Sequence, residues 1–326
     1  MNNNLYPLKF NPIFKEKIWG GNKLKTFLYK KIEGNNIGES WELSGVENSV
    51  SVVANGNLTG VTLTELISNY KSNLLGEKVF AKFGDNFPLL IKFIDASDDL
   101  SVQVHPNNLQ ALEACNSLGK TEMWYVCQSD ENSELIAGLK EKFDEQKFIA
   151  NIKDGTFKDL MNVESVDSGD MFFIPAGAVH AIGKGVLLAE IQQSSDITYR
   201  LYDYNRRDSD GNLRELHINQ ALKVIDDEVN VGCRVNSNKE HDSSLLVSCE
   251  FFTVNLLNVK DIVYRSYSDI DSFIIYMCVE GSVKIEYSDN EFLVINLGET
   301  VLIPACFKNI KTYSLTEAKI LEIYIK

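Results

Sequence analysis

Apolar and polar residues alternate along most of this chain, and helical spacing interrupts the alternation in only a few places. Ser101, Val102, Gln103, Val104 and His105 have period two, so Ser101, Gln103 and His105 share one face of a strand that Pro106 ends. A short helix capped by Asn107 or Asn108 is expected next, with Leu109 and Leu112 turned inward and Gly119 closing it. Lys120 to Cys127 reads as a second strand, which returns Glu122 to the side of His105. Upstream, Thr62 to Glu65 is a capping box, and Leu63, Leu66, Ile67 and Tyr70 extend it into a helix that Gly76 stops. Phe87 to Ala96 is a buried strand that carries Lys92 inside an apolar run. Trp19 to Gly21 and Gly38 to Ser44 read first as core edges and turns, with direct substrate contact as the alternative.

Residues 140 to 163 change to charged, helical spacing, and two short helices are expected there. Strands return through Gly169 to Ile182 and Leu187 to Arg206. Ile218, Leu222 and Ile225 place a helix near residues 215 to 227, and the polar stretch Asn236 to Ser244 is the linker candidate. Beyond Ser248 the pattern is nearly all strand, with turns expected at Glu280-Gly281, Ser288 to Asn290 and Leu297-Gly298. This second region repeats the first. Gly298 to Asn309 (GETVLIPACFKN) follows Gly169 to His180 (GDMFFIPAGAVH) position for position, and Ile274 to Cys278 resembles Met123 to Cys127. The second copy puts Phe273 where Glu122 sits and Asn309 where His180 sits, so it has no metal ligands. The expected fold is mainly β, two tandem jelly-roll barrels with a few inserted helices. Residues 1–240 form the metal-binding domain and 241–326 the second barrel.

Composition narrows the function. With 326 residues, 44% hydrophobic and 24% charged, the chain can fill two ordinary cores. A net charge of −14 argues against nucleic acid and anionic membrane as partners, and leaves an anionic small substrate only where cations are gathered locally. No run is long enough to span a bilayer and the start lacks a secretion signal. Six scattered cysteines without a C-x-x-C pair read as reduced, mostly buried thiols of a cytoplasmic protein.

Two histidines and a carboxylate, His105, His180 and Glu122, with Gln103 as a fourth donor, suit a borderline divalent ion with positions left open for substrate. His217 and His241 read as surface residues. The same trio fits a non-haem iron oxygenase. Lys92, Lys120 and Arg200 favour a phosphorylated or enolate-forming substrate instead. By spacing alone Lys92 fits an edge lysine equally well, and Arg200 could form a rim salt bridge to Asp196 or Asp203. Histidine ligation also predicts activity that falls as the pH drops below neutral.

FPLLIKFIDASDDLSVQVHPNN, GKTEMWYV, GDMFFIPAGAVHAIG and SDITYRLYDYNR together resemble the mannose-6-phosphate isomerase (phosphomannose isomerase) family of metal-dependent cupins, in its short bacterial form. The resemblance implies an enzyme that interconverts mannose 6-phosphate and fructose 6-phosphate through an enediol, and a cytoplasmic monomer or weak homodimer is the expected form. It implies one zinc ion per chain held by His105, Glu122, His180 and, in some members, Gln103. Arg200 falls on the catalytic arginine, and Lys92, Ser101 and Lys120 on positions lining the sugar-phosphate pocket. An iron-dependent cupin dioxygenase and a non-catalytic sugar-phosphate-binding cupin are the alternatives.

Overall fold

Strands that are apolar at both alternations bury both faces, and this decides the architecture. The computed structural model describes residues 5–207, 210–229, 231 and 243–326. A six-stranded antiparallel sheet runs in the order Ile13–Gly21, Ile37–Ser44, Leu89–Asp95, Val186–Gln193, Glu122–Ser129, Met171–Ile174. A five-stranded sheet faces it, in the order Tyr199–Tyr202, Val102–Val104, His180–Ile182, Glu134–Leu139, Met161–Ser165. Trp124, Val126 and Leu188 of the larger sheet meet Leu135, Ala137 and Ile182 of the smaller in the barrel interior. The outer face of the smaller sheet is covered by the helical insert, Glu145–Asp154 and the 3-10 turn Phe157–Leu160, through Phe148 and Phe157.

The second barrel is built on the long strands Ile274–Ser288 and Asn309–Tyr324 of an eight-stranded sheet. Ile274, Tyr276, Cys278 and Ile320 fill its interior, while the alternate residues Ile275, Met277, Leu321 and Ile323 point out. Those outward residues join Ile91, Phe93, Met123 and Tyr125 from the back of the first barrel in one continuous core. Each such side chain stabilises by roughly 1.5–3 kcal/mol when fully buried. Strand Leu8–Lys9 pairs with Thr300–Ile303, so the start of the chain is stitched to the second barrel's sheet.

Several elements differ from expectation. The helix after the capping box at Thr62 runs Leu63–Tyr70 and breaks at Lys71, whose φ is 48°, before a second turn, Ser72–Leu75. The break leaves the Asn73, Leu74 and Leu75 carbonyls to accept from Cys306, Ala305 and Phe273 of the second barrel at 2.9–3.1 Å. An uninterrupted helix would have used those carbonyls itself. Helix Asn108–Cys115 has the expected cap, Asn107 in a capping box with Gln110, but it buries Ala111 and leaves Leu109 and Leu112 73% and 58% exposed. Asn116, at φ 51°, closes this helix, not Gly119. Gly119 is needed for close approach, because a Cβ there would lie 2.6 Å from the Asn107 carbonyl carbon.

Glu280-Gly281 is no turn. Ile274–Ser288 continues through it with register shifts on either side, and Gly281 (φ 69°) is the bulge residue. The helix near 215–227 is shortened to Ile218–Leu222. Of the linker candidate, Ser243 and Ser244 open the strand Ser243–Ser248 and the remainder lies largely outside the described residues. Cys127 and Cys278 are buried, Cys115 is exposed, Cys249 and Cys306 are half-buried, and Cys233 lies outside the described residues.

Strand pairing also corrects the repeat by one residue. Glu122 pairs with Ile174, and in the second barrel Ile274, not Phe273, pairs with the matching Ile303. One residue of slip turns a side chain to the opposite face. The position of Glu122 is therefore held by buried Ile274, facing the second barrel's interior.

Candidate metal centre and adjoining cleft

His105 follows strand Val102–Val104, His180 opens His180–Ile182, and Glu122 opens Glu122–Ser129. The smaller sheet sets Gln103 opposite His180, and the larger sets Glu122 opposite Ile174, six residues before His180. The three side chains converge: one ligand atom from each lies within 4.8 Å of the others, and they form the metal-ligating group found among the described residues. His180 Nε2 is 3.3 Å and His105 Nε2 3.6 Å from the Glu122 carboxylate. All three residues are almost completely buried.

Their chemistry fits a cation. His180 Nδ1 lies 2.9 Å from the Ala178 carbonyl, which assigns its proton to that nitrogen and turns the Nε2 lone pair toward Glu122. His180 Nε2 and Glu122 Oε1 are buried without hydrogen-bond partners, and Glu122 Oε2 has only the Lys120 ammonium. Orphaned buried acceptors are costly unless something positive satisfies them. The Lys120 ammonium stands beside them, 3.1 Å from His105 Nε2 and 3.3 Å from Glu122 Oε2. Trp124 packs edge-on against the His180 ring at 5.4 Å and helps to fix it.

Burial dominates the titration of these groups. It pushes His180 down to about 4, and with Lys120 it holds His105 well below the ordinary imidazole range. Burial, reinforced by Glu190, pushes Glu122 up to about 7. Burial lowers both imidazoles and raises Glu122 toward neutral, so Glu122, beside the histidines, is the group whose proton is expected to compete with a metal below neutral pH. Metal affinity is therefore expected to fall as the pH drops through about 7, by ~tenfold per unit for one displaced proton. Competition titrations at about pH 5.5 and about pH 8 check this, and equal affinities at the two would contradict it.

A cleft opens next to the ligands. Lys92, Ser101, Gln103, Lys120 and Arg200 all line it. Lys92 is not an edge lysine: it is 5% exposed and ion-pairs with Glu190 at 2.8 Å. Burial disfavours its charge, but Glu190 and Glu39 outweigh burial and hold it above the usual lysine range. Arg200 has no rim salt bridge among the described residues. It donates to the Glu215 carbonyl at 2.8 Å and keeps a buried Nε without a partner. His217 is half-buried, not a free surface residue, and exchanges hydrogen bonds with the Arg200 backbone. His241 lies outside the described residues.

Part of this wall was only the second reading of the sequence. Trp19, Glu39 and Trp41, read first as edges and turns, line the cleft, and strand Ile37–Ser44 is buried throughout. Glu190 also lines it, accepting from Trp124 Nε1 at 3.0 Å. Its signal was available: a charge inside the apolar run Leu187 to Ile191, the same anomaly that marked Lys92. A larger groove, about 990 Å³, runs along the seam between the barrels. Two of its lysines, Lys9 and Lys30, are already neutralised by Glu299 and Glu42 at 2.9 and 2.6 Å, and it lies away from the ligand set.

Residues 7–146 match the family model for the phosphomannose isomerase type I catalytic domain, and residues 242–320 the mannose-6-phosphate isomerase cupin domain. The mannose-6-phosphate isomerase ManA of Bacillus subtilis is 39% identical over 306 residues, covering 90% of this chain and 94% of that one. The mannose-6-phosphate isomerase of Streptococcus mutans is 37% identical, covering 93% and 94%. The crystal structure of the mannose 6-phosphate isomerase from Bacillus subtilis superposes with a TM-score of 0.88 at 32% identity, covering 98% of this chain and 100% of that one.

Proposed function

Because the chain belongs to the type I phosphomannose isomerase family, we propose that it interconverts mannose 6-phosphate and fructose 6-phosphate through an enediol, using one zinc ion held by His105, Glu122 and His180. The observation that carries this reading is the buried convergence of His105, Glu122 and His180 within 4.8 Å, joined through Lys120 to a cleft that Lys92 and Arg200 also line. Gln103, across the ladder from His180, is the fourth ligand. When bound, zinc supplies a Lewis acid that polarises a substrate oxygen and stabilises charge developing there.

The chain's own residues do the rest. Ser101, Lys92 and Lys120 line the cleft and orient the sugar, while the wall of Trp19 and Trp41 limits water. Arg200 presents a fixed positive charge, so the enediolate oxygens are stabilised more than the neutral sugar. Proton transfer between C1 and C2 falls to the metal end of the cleft, where Lys120 and Glu122 are 3.3 Å apart. The phosphate supplies binding energy away from the reacting carbons. Residues 1–240 carry this site and 241–326 brace it as a second barrel. The enzyme acts in the cytoplasm on a small sugar phosphate, as a monomer or weak homodimer, without nucleic acid or membrane.

A cupin dioxygenase has no use for the cations of this cleft. The test is a coupled assay on mannose 6-phosphate, before and after chelation and after adding zinc back. Activity that is lost with the metal and restored by zinc is the expected result. Full turnover in protein verified to be metal-free would overturn the zinc reading, and no conversion by metal-loaded protein would overturn the substrate.

A further inference from the structure

The groove at the seam of the barrels, about 990 Å³, has the size of a small-molecule site and lies where such sites favour, between two domains. Its walls are fixed against each other. Residues 28–31 form one and the turn at 296–300 another. Gly298 packs so closely on the first wall that a Cβ there would lie 2.8 Å from the Leu28 carbonyl oxygen. The groove is also separate from the cleft beside the metal ligands. Strand Ile37–Ser44 turns Glu39 and Trp41 to the cleft and Glu42, of the other alternation, to the groove.

Three features of the lining point to a ligand. Tyr29 is 76% exposed and holds φ at 55°, a conformation costly for an aromatic residue. Backbone strain of that kind clusters at functional sites. Thr300 is 8% exposed, and its hydroxyl is buried without a partner, although buried hydroxyls are ordinarily hydrogen-bonded. Lys30 and Glu42 form a buried ion pair at 2.6 Å. Ser40 donates to the same Glu42 oxygen at 2.5 Å, which leaves Glu42 Oε2 without a partner among the described residues.

From this arrangement we infer that the seam groove binds a neutral saccharide, at a second site apart from the metal-centred cleft. Charge decides the class of ligand. Lys9 is paired with Glu299 at 2.9 Å as Lys30 is with Glu42, and only Lys31 lacks an acid among the described residues. Two carboxylates oppose a polyanion such as a nucleotide, and three lysines oppose a cation. A sugar hydroxyl both donates and accepts, so it can take a hydrogen bond from an ammonium and give one to the paired carboxylate. Phe10, Pro12, Phe14 and Tyr29 add the apolar surface that the C–H face of a pyranose ring covers.

The test titrates two neutral probes, D-mannose and maltose, into the full chain and reads binding by saturation-transfer NMR. Wild type is expected to bind them with a Kd of about 1 mM. Tyr29→Gly and Thr300→Val should each weaken binding by about 3–10-fold, the worth of one aromatic contact or one hydrogen bond. Neither should lower the melting temperature. Glycine suits the positive φ at position 29, and valine removes an unpaired buried hydroxyl. Weaker binding at undiminished stability separates a ligand contact from a structural role. Arg200→Gln, in the other cleft, should leave the affinity unchanged, and inorganic phosphate should not displace the sugar. Wild type that binds neither probe would overturn the inference, and so would an affinity unchanged in either folded groove variant. A loss in Arg200→Gln would move the binding to the cleft, and displacement by phosphate would mark an anion site. Either of these also overturns it. The measurement needs no turnover, so failure of the isomerase reading would leave this result standing.

Discussion

Replacing His180 with alanine is expected to lower kcat by roughly 10³-fold or more, the scale of several kcal/mol of metal-derived stabilisation. The loss should coincide with loss of bound metal. His180 is fully buried, its Nδ1–H is committed to the Ala178 carbonyl, and its Nε2 has no partner other than whatever the site binds. Its removal leaves Glu122, already pushed up to about 7 by burial and Glu190, with less to oppose protonation. Glu122→Gln should act in the same direction, because a neutral amide cannot neutralise a dication. Metal content measured beside single-turnover rates checks the prediction. An alanine variant that keeps its rate while holding no metal would remove His180 from the mechanism.

The largest effect on stability is expected in the other barrel. Glu322 lies at the place in the repeat where the first barrel has Glu190: Glu190 pairs across the ladder with Lys92 and Trp124, Glu322 with Asn255 and Tyr276. Both carboxylates are buried. Glu190 looks onto an open cleft, whereas the oxygens of Glu322 are saturated from within. Arg265 donates to both at 2.7 and 2.6 Å, Tyr267 to one at 2.6 Å and Asn255 to the other at 2.7 Å. Arg265→Met would strand a fully buried carboxylate, at a cost of about 3–5 kcal/mol for a broken buried pair. The lower end applies here, since the Arg265 side chain keeps 26% of its exposure. Adding Glu322→Gln to that variant should return much of the loss, because the uncompensated charge is gone. Urea denaturation of the two variants reads this directly. A single variant within ~0.5 kcal/mol of wild type would mean that the pair is not needed.

These two sites show where sequence reasoning succeeds. Period-two alternation is local, so the strands bearing Gln103 and Glu122, with His105 directly after the first, were legible, and the repeated motif ending at His180 placed the third candidate ligand at a strand end. Lys92 stood out as a charge in an apolar run, and the structure gives it the buried anion that such a position demands. Glu190 carried the same local signal. Glu39 and Trp41 did not, because a buried polar strand and a turn look alike until the neighbouring strand is known.

By itself the sequence determined the strand-rich double barrel, the helical insert and the His-Glu-His set that could hold a metal ion in the first copy. These follow from side-chain type and short-range periodicity, which the chain carries wherever it goes. Tertiary structure alone decided that Ile274 replaces Glu122, that Lys71 breaks a helix so its carbonyls can serve the second barrel, and that Leu109 and Leu112 face water. It also decided how burial shifts His180 and Glu122 and that Arg200 and Arg214 line one cleft. Register, desolvation and charge balance are properties of neighbours brought from far along the chain, and no local pattern encodes them.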